Sequence, residues 1–153
     1  MNKEGMSDFQ LRQYQVVYFN VTNAIVITEE IQASKLEHTF SREHDLKYDE
    51  TENQWMGSLH IKYTSECPNL PKGQELSVEI GIVGLFIYKA ENSEDQQDSF
   101  EKLLRLNGTV SLLGILRGIV AAATSSLGFR PGIIVPSVNL NKLVWDKPEH
   151  TKK

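Results

Sequence analysis

The apolar residues of this chain change their period once. Up to Tyr88 they recur every second residue, in four runs; from Phe100 they recur every third or fourth. A period of two sends alternate side chains to opposite faces of a strand, whereas a period near 3.6 lines one face of a helix. A chain patterned this way buries its apolar residues by laying the helical part on one face of a sheet.

The first run puts Phe9, Leu11, Gln13, Gln15, Val17, Phe19 and Val21 on one face, and Gln10, Arg12, Tyr14, Val16, Tyr18 and Asn20 on the other. Ile25, Ile27 and Ile31 continue it as an irregular edge segment. The second run, Leu36 to Tyr48, is more polar: Leu36, His38, Phe40, Arg42, His44, Leu46 and Tyr48 share a side. Asp49–Asn53 ("DETEN") reads as a turn. In the third run Trp55, Gly57, Leu59, Ile61 and Tyr63 alternate with Met56, Ser58, His60 and Lys62. "SECPNLPKGQE" follows as a loop broken by Pro68, Pro71 and Gly73. The fourth run, Leu76 to Tyr88, ends apolar on both faces, so it is covered on both sides or awaits a partner. Gly84 within it predicts a bulge or a close backbone approach.

After a polar linker, Phe100–Leu106 predicts a short amphipathic helix. The segment from Val110 to Leu127 then predicts a long one, ended by Gly128 at C′ with Pro131 beyond. "GIIVPSVNLNKLVW" follows as an extended apolar piece, and Pro136 bars it from a central strand. The expectation is an α+β domain, a four-stranded antiparallel meander sheet with a long helix packed on one face. It spans 9–145, between a flexible N-terminus (1–8) and a short polar tail (146–153).

Three readings compete for the long helix. About 20 apolar residues cross a bilayer, but Arg117 sits mid-segment, where a charge costs about 2.5–3.5 kcal/mol. A plain core helix accounts for Leu112, Ile115, Leu116, Ile119, Val120, Ala123 and Leu127 on one face. Beside them runs a stripe of small residues, Gly114, Gly118, Ala122 and Ser125. An interior helical glycine costs roughly 1 kcal/mol against alanine, which favours a third reading, a helix with two packing faces. One face meets its own sheet and the other meets a second subunit.

The chain has 153 residues, a formal net charge of -4 and one cysteine, Cys67. No basic block marks a nucleic-acid surface. The lone thiol and an N-terminus without an apolar signal core predict a cytoplasmic, non-membrane protein. His38 and His44 stand six residues apart on one strand, roughly 20 Å, and read as solvated. The acids Glu43, Asp45, Asp49, Glu50 and Glu52 read as a solvated turn. No metal-ligand spacing, nucleophile motif or phosphate loop is present. What is over-represented is apolar surface: Phe40, Trp55, the two-faced fourth run, the helix and the segment after it.

In their order, four motifs resemble those of the SecB-like protein-export chaperones. "FQLRQYQVVYFNVTNA" looks like that family's opening strand. "ELSVEIGIVGLFIY" resembles its fourth, with Gly84 at a family glycine. "GTVSLLGILRGIV" is similar to the start of its long helix, with Arg117 at a family arginine. "SSLGFRPGIIVPSVNLNKLV" resembles its helix exit through Ile133, Ile134, Pro136, Val138, Asn139 and Leu140.

The resemblance implies a homotetramer, a dimer of dimers with the helices between two eight-stranded sheets. It implies an ATP-independent holdase without cofactor, gripping unfolded preproteins in apolar grooves and passing them to the SecA motor. The residues expected to line the groove are Phe40, Trp55, Leu59, Leu85, Phe86, Leu113 and Leu116. Gly114, Gly118, Ala122 and Ser125 are expected at the oligomer interface, and Glu79 at the SecA contact. The matching first-strand positions, Tyr18 and Thr22, are uncharged, and the chain ends at "DKPEHTKK" without the family's second helix and acidic tail. Client holding is thus supported better than SecA docking. The alternative is a dedicated chaperone or interaction protein for one partner, such as an antitoxin. A small-molecule enzyme is a third reading, to which no residue points.

Overall fold

The computed structural model describes residues 8–24, 36–89, 95–127 and 132–138. The expected polar tail, nearly all of the expected flexible N-terminus, Ile25, Ile27, Ile31, Gly128, Pro131, Asn139 and Leu140 lie outside the described residues.

All four period-two runs form strands: β1 (Phe9–Ala24), β2 (Glu37–Asp49), β3 (Gln54–Glu66) and β4 (Glu75–Tyr88). They make one antiparallel sheet, as expected, but the order is β1-β4-β3-β2 rather than a meander throughout. Only β2, β3 and β4 follow one another as hairpins; β1 lies beyond β4, giving a Greek-key order. Polarity explains the arrangement. β4 is apolar on both faces and takes a central place, while β2 carries Glu37, Glu43, Asp45 and Lys47, which suit an edge.

The expected faces of β1 hold as far as Leu11 and again from Tyr18 onward. Register shifts leave Arg12 and Val17 as extra residues opposite β4. Each bulge turns the following residues over. The inward set is therefore Phe9, Leu11, Val16, Phe19 and Val21, all packed against the core. Val17, expected on that face, is 51% exposed. Tyr18 lies on the opposite face, as expected, its ring over Gly81, where a Cβ would collide with it.

The "DETEN" turn forms as expected. Asp49 Oδ1 accepts the backbone N–H groups of Thr51 and Glu52 at 3.0 and 3.3 Å, and Asn53 takes a left-handed φ of 50°. The β3–β4 loop closes through the Cys67 N–H donating to the Leu76 carbonyl at 3.0 Å.

The two expected helices are one. α1 (Gln97–Leu103) runs through a π-helical turn (Leu104–Gly108) into α2 (Thr109–Ser126). By length and composition this stretch resembles a membrane span; one face of it nonetheless packs on the sheet, with Phe100, Leu104, Leu112, Leu116 and Val120 fully buried. The sheet-facing side is turned from the expected one toward Thr109, Leu113 and Thr124, all buried, while Leu127 is exposed. Gly84 makes the close approach its position suggested: a Cβ there would stand 2.8 Å from Leu112 Cδ2.

After the helix, Gly132–Val138 returns along α2 as an extended strap with Ile133 and Val135 buried and Ile134 exposed. The core is the layer between sheet and helix, closed by Leu59, Tyr63, Ile80, Ile82 and Phe86 from below. Burying each such side chain contributes about 1.5–3 kcal/mol, so this layer dominates the fold's stability.

Candidate functional site

The helical layer does not cover the sheet evenly. α2 packs on β3 and β4, and β2 extends past it. The inward residues of β2 are consequently half-covered: Leu36, just before the strand, and His38, Phe40, Leu46 and Tyr48 are neither buried nor exposed. A shallow cleft opens there, walled by Phe40 and Ile61 of the sheet and Leu113 of α2, with Ser41, Arg42 and Thr109 around it.

Aromatic rings extend the cleft along the sheet. Phe40 tilts against Tyr63 at 5.0 Å between centroids, and His38 stacks on Tyr63 at 5.9 Å. The Tyr63 hydroxyl lies 2.8 Å from His38 Nδ1. Burial lowers the His38 pKa and raises that of Tyr63, so both groups are held in their neutral forms. Such rings offer large apolar faces with few torsions to immobilise.

Polar links hold β2 where apolar packing ends. Buried Arg42 donates from Nη1 to the Arg105 carbonyl at 3.1 Å and to Thr109 Oγ1 at 3.0 Å. Desolvation, with nearby Arg105, pushes its pKa down to about 10. His44 reaches Glu101 of α1 at 3.1 Å. His38 and His44, read from sequence as solvated, therefore face the helical layer and have partners. The sequence reading also left out Arg42, Ile61 and Tyr63. Their signal was available in the alternation, since Arg42 shares the phase of Phe40, and Ile61 and Tyr63 share that of Leu59.

The seven expected lining residues fall into three groups. Phe40 and Leu113 border the open cleft. Trp55, Leu59, Phe86 and Leu116 lie in the same layer but beneath the helix, at most 8% exposed. Leu85 projects from the opposite face of the sheet, because it is adjacent to Phe86 on one strand. A single groove cannot contain it with the rest.

Of the small-residue stripe, Gly114, Gly118, Ala122 and Ser125 are all exposed. At Gly114 and Gly118 a Cβ would meet nothing within 4 Å beyond the adjacent residues and the helix's own backbone, among the described residues. Leu106 and Val110, 37% and 58% exposed, extend this bare face toward the start of α2. Ser125 differs: with Ala121 it receives Gly132 of the strap, whose Cβ would collide with both residues. At that end the small side chains serve the chain's own return. Arg117, off both stripes, donates to the Pro136 carbonyl at 3.0 Å.

Glu79 is exposed on the sheet's other face, opposite Asn20 on β1 and Thr64 on β3. Among the described residues no group of three or more His, Cys, Asp or Glu side chains is arranged to hold a metal.

Comparison with protein-family models and with curated proteins finds no match. Among solved structures, the chain matches a SecB-like chaperone of Mycobacterium tuberculosis, Rv1957, in complex with a ChAD peptide from the HigA1 antitoxin, Rv1956. The TM-score is 0.55 at 13% sequence identity, over 86% of this chain and 91% of that one. The chain has a SecB-like fold. The fold reading from the helix exit and the strand motifs thus stands on the backbone as well. In this SecB-like sheet the position of Glu79 is flanked by uncharged residues, and Tyr18, its neighbour across Asn20, is occupied in covering Gly81.

Proposed function

We propose that this chain is an ATP-independent chaperone that holds an extended apolar segment of another protein between β2 and α2. The observation that carries the reading is the half-covered shelf of His38 and Phe40, seated on buried Tyr63 beside buried Leu113, in a fold shared with a peptide-bound chaperone. The shelf supplies apolar contact for alternate side chains, and among the described residues β2 is an edge of the sheet, where an extended segment can add as a further strand. Binding then draws on burial at about 25 cal/mol per Å² and requires no nucleotide. Trp55, Leu59, Phe86 and Leu116 contribute as the floor that fixes the shelf.

The working form in this reading is a cytoplasmic homotetramer, a dimer of dimers, with Gly114, Gly118 and Ala122 against another subunit. The bare face they form with Leu106 and Val110 supports that assignment. The client is a single partner, such as an antitoxin. The antitoxin peptide held by the structural neighbour favours this, and so do the uncharged first-strand positions Tyr18 and Thr22. General export of unfolded preproteins through SecA is the second reading, supported by the sequence motifs.

Light scattering of an aggregating unfolded protein tests the activity. The chain at equimolar tetramer should suppress the rise, and Phe40→Asp should abolish suppression while the far-UV signal of the sheet persists. Absence of suppression by the unsubstituted chain, both for a generic substrate and for an antitoxin, contradicts the proposal.

A further inference from the structure

Arg117 and the strap have no part in the cleft as described so far, yet they share its flank of the helix. Leu113, Arg117 and Thr124 follow one another at spacings of four and seven residues, which keeps them on one side of α2. Leu113 walls the cleft. Thr124 and Arg117 hold the strap, through the Ile133 N–H donating to Thr124 Oγ1 at 2.8 Å and Arg117 Nη2 donating to the Pro136 carbonyl at 3.0 Å. The strap thus occupies the C-terminal stretch of the flank whose N-terminal stretch borders the shallow cleft.

Its manner of binding is that of a peptide ligand. Ile133 and Val135 point in and Ile134 points out, the alternation of an extended chain. Among the described residues it makes no backbone–backbone hydrogen bond; side chains of α2 grip its backbone at both ends. Pro136 lacks an N–H and biases Val135 to an extended conformation, so the segment neither joins the sheet nor coils into the helix. Gly132 lies so close to Ala121 and Ser125 that no larger residue fits without moving the strap.

We propose that Gly132–Val138 is an internal stand-in for the client: it covers half of the groove along α2 and is displaced by an extended peptide carrying apolar residues at alternate positions. The proposal rests on the groove reading above. The strap then sets the threshold for binding, since a segment must outcompete two buried side chains and two side-chain grips. Arg117 and Thr124 serve either occupant, because both of their bonds involve backbone groups common to any sequence.

The test uses a fluorescein-labelled synthetic peptide with the strap's own sequence, GIIVPSV, and anisotropy with the full chain. Gly132→Ala pushes the strap from α2 without touching the cleft; Ile133→Ser removes an anchor and provides a second route if Gly132→Ala fails to fold. Both should bind the probe about tenfold more tightly than the unsubstituted chain, because the competent state is no longer masked. In the unsubstituted chain, saturating probe should accelerate hydrogen exchange at the Ile133 amide. Equal or weaker binding by the loosened chains overturns displacement and leaves the groove reading standing. No binding by any of the chains overturns both.

Discussion

At the scale of single residues, the informative positions are those where a side chain serves something other than the nearest strand or helix pattern. His38 is one. Its alternation with Phe40 placed it on the correct side of β2, but not its partner, since Tyr63 is 25 residues away. Burial lowers the pKa of His38 from its usual 6.5. The unfolded chain therefore takes up a proton at this site before the folded one, so stability falls as pH drops through and below about 6.5. Urea unfolding between pH 7.5 and 5 should show that decline, and His38→Gln should flatten it. A decline of equal slope in the variant would assign the effect elsewhere. Arg117 is another such position. Its charge spoils a membrane span in the sequence, and in the structure it secures the strap.

At the scale of elements, four strands and a helix were legible because their periods are long and consistent. Their faces were less so. Two extra residues in β1 reverse the alternation after Leu11 and restore it after Val17, and nothing local in "LRQYQVVYF" marks a bulge. The buried side of α2 also differs from the projected one, with Leu113 and Thr124 on the sheet side. Strand order was hidden for another reason: which neighbour β1 takes depends on which strand can tolerate cover on both faces. The bulge reading makes a sharp prediction. Deleting one residue from a strand ordinarily turns every later side chain over. Deleting Val17 should instead regularise the ladder, leaving Phe19 and Val21 inward and changing stability by no more than about 1 kcal/mol. Thermal unfolding checks this; a chain that no longer folds contradicts the assigned register.

At the scale of the whole molecule, the candidate site exists because a helix narrower than its sheet leaves β2 half-covered. That could not be read from composition, which showed only that apolar residues were in excess. The sequence did place Phe40 and Leu113 together, and it also named Leu85, which the sheet sends to the opposite side. The bare face of α2 belongs to this scale as well. In the proposed tetramer, Gly118→Leu should lower the solution mass by light scattering to that of a smaller species while the sheet stays folded; an unchanged mass would assign the stripe no part in assembly. The central claim is that the client lies between β2 and α2. A photo-reactive benzoylphenylalanine placed at Phe40 and, in a second chain, at Leu85 tests it directly, with a bound unfolded protein as target. Cross-linking to the client from position 40 and little from position 85 is the predicted result. Cross-linking from position 85 with none from position 40 would place the client on the other face of the sheet and contradict the account.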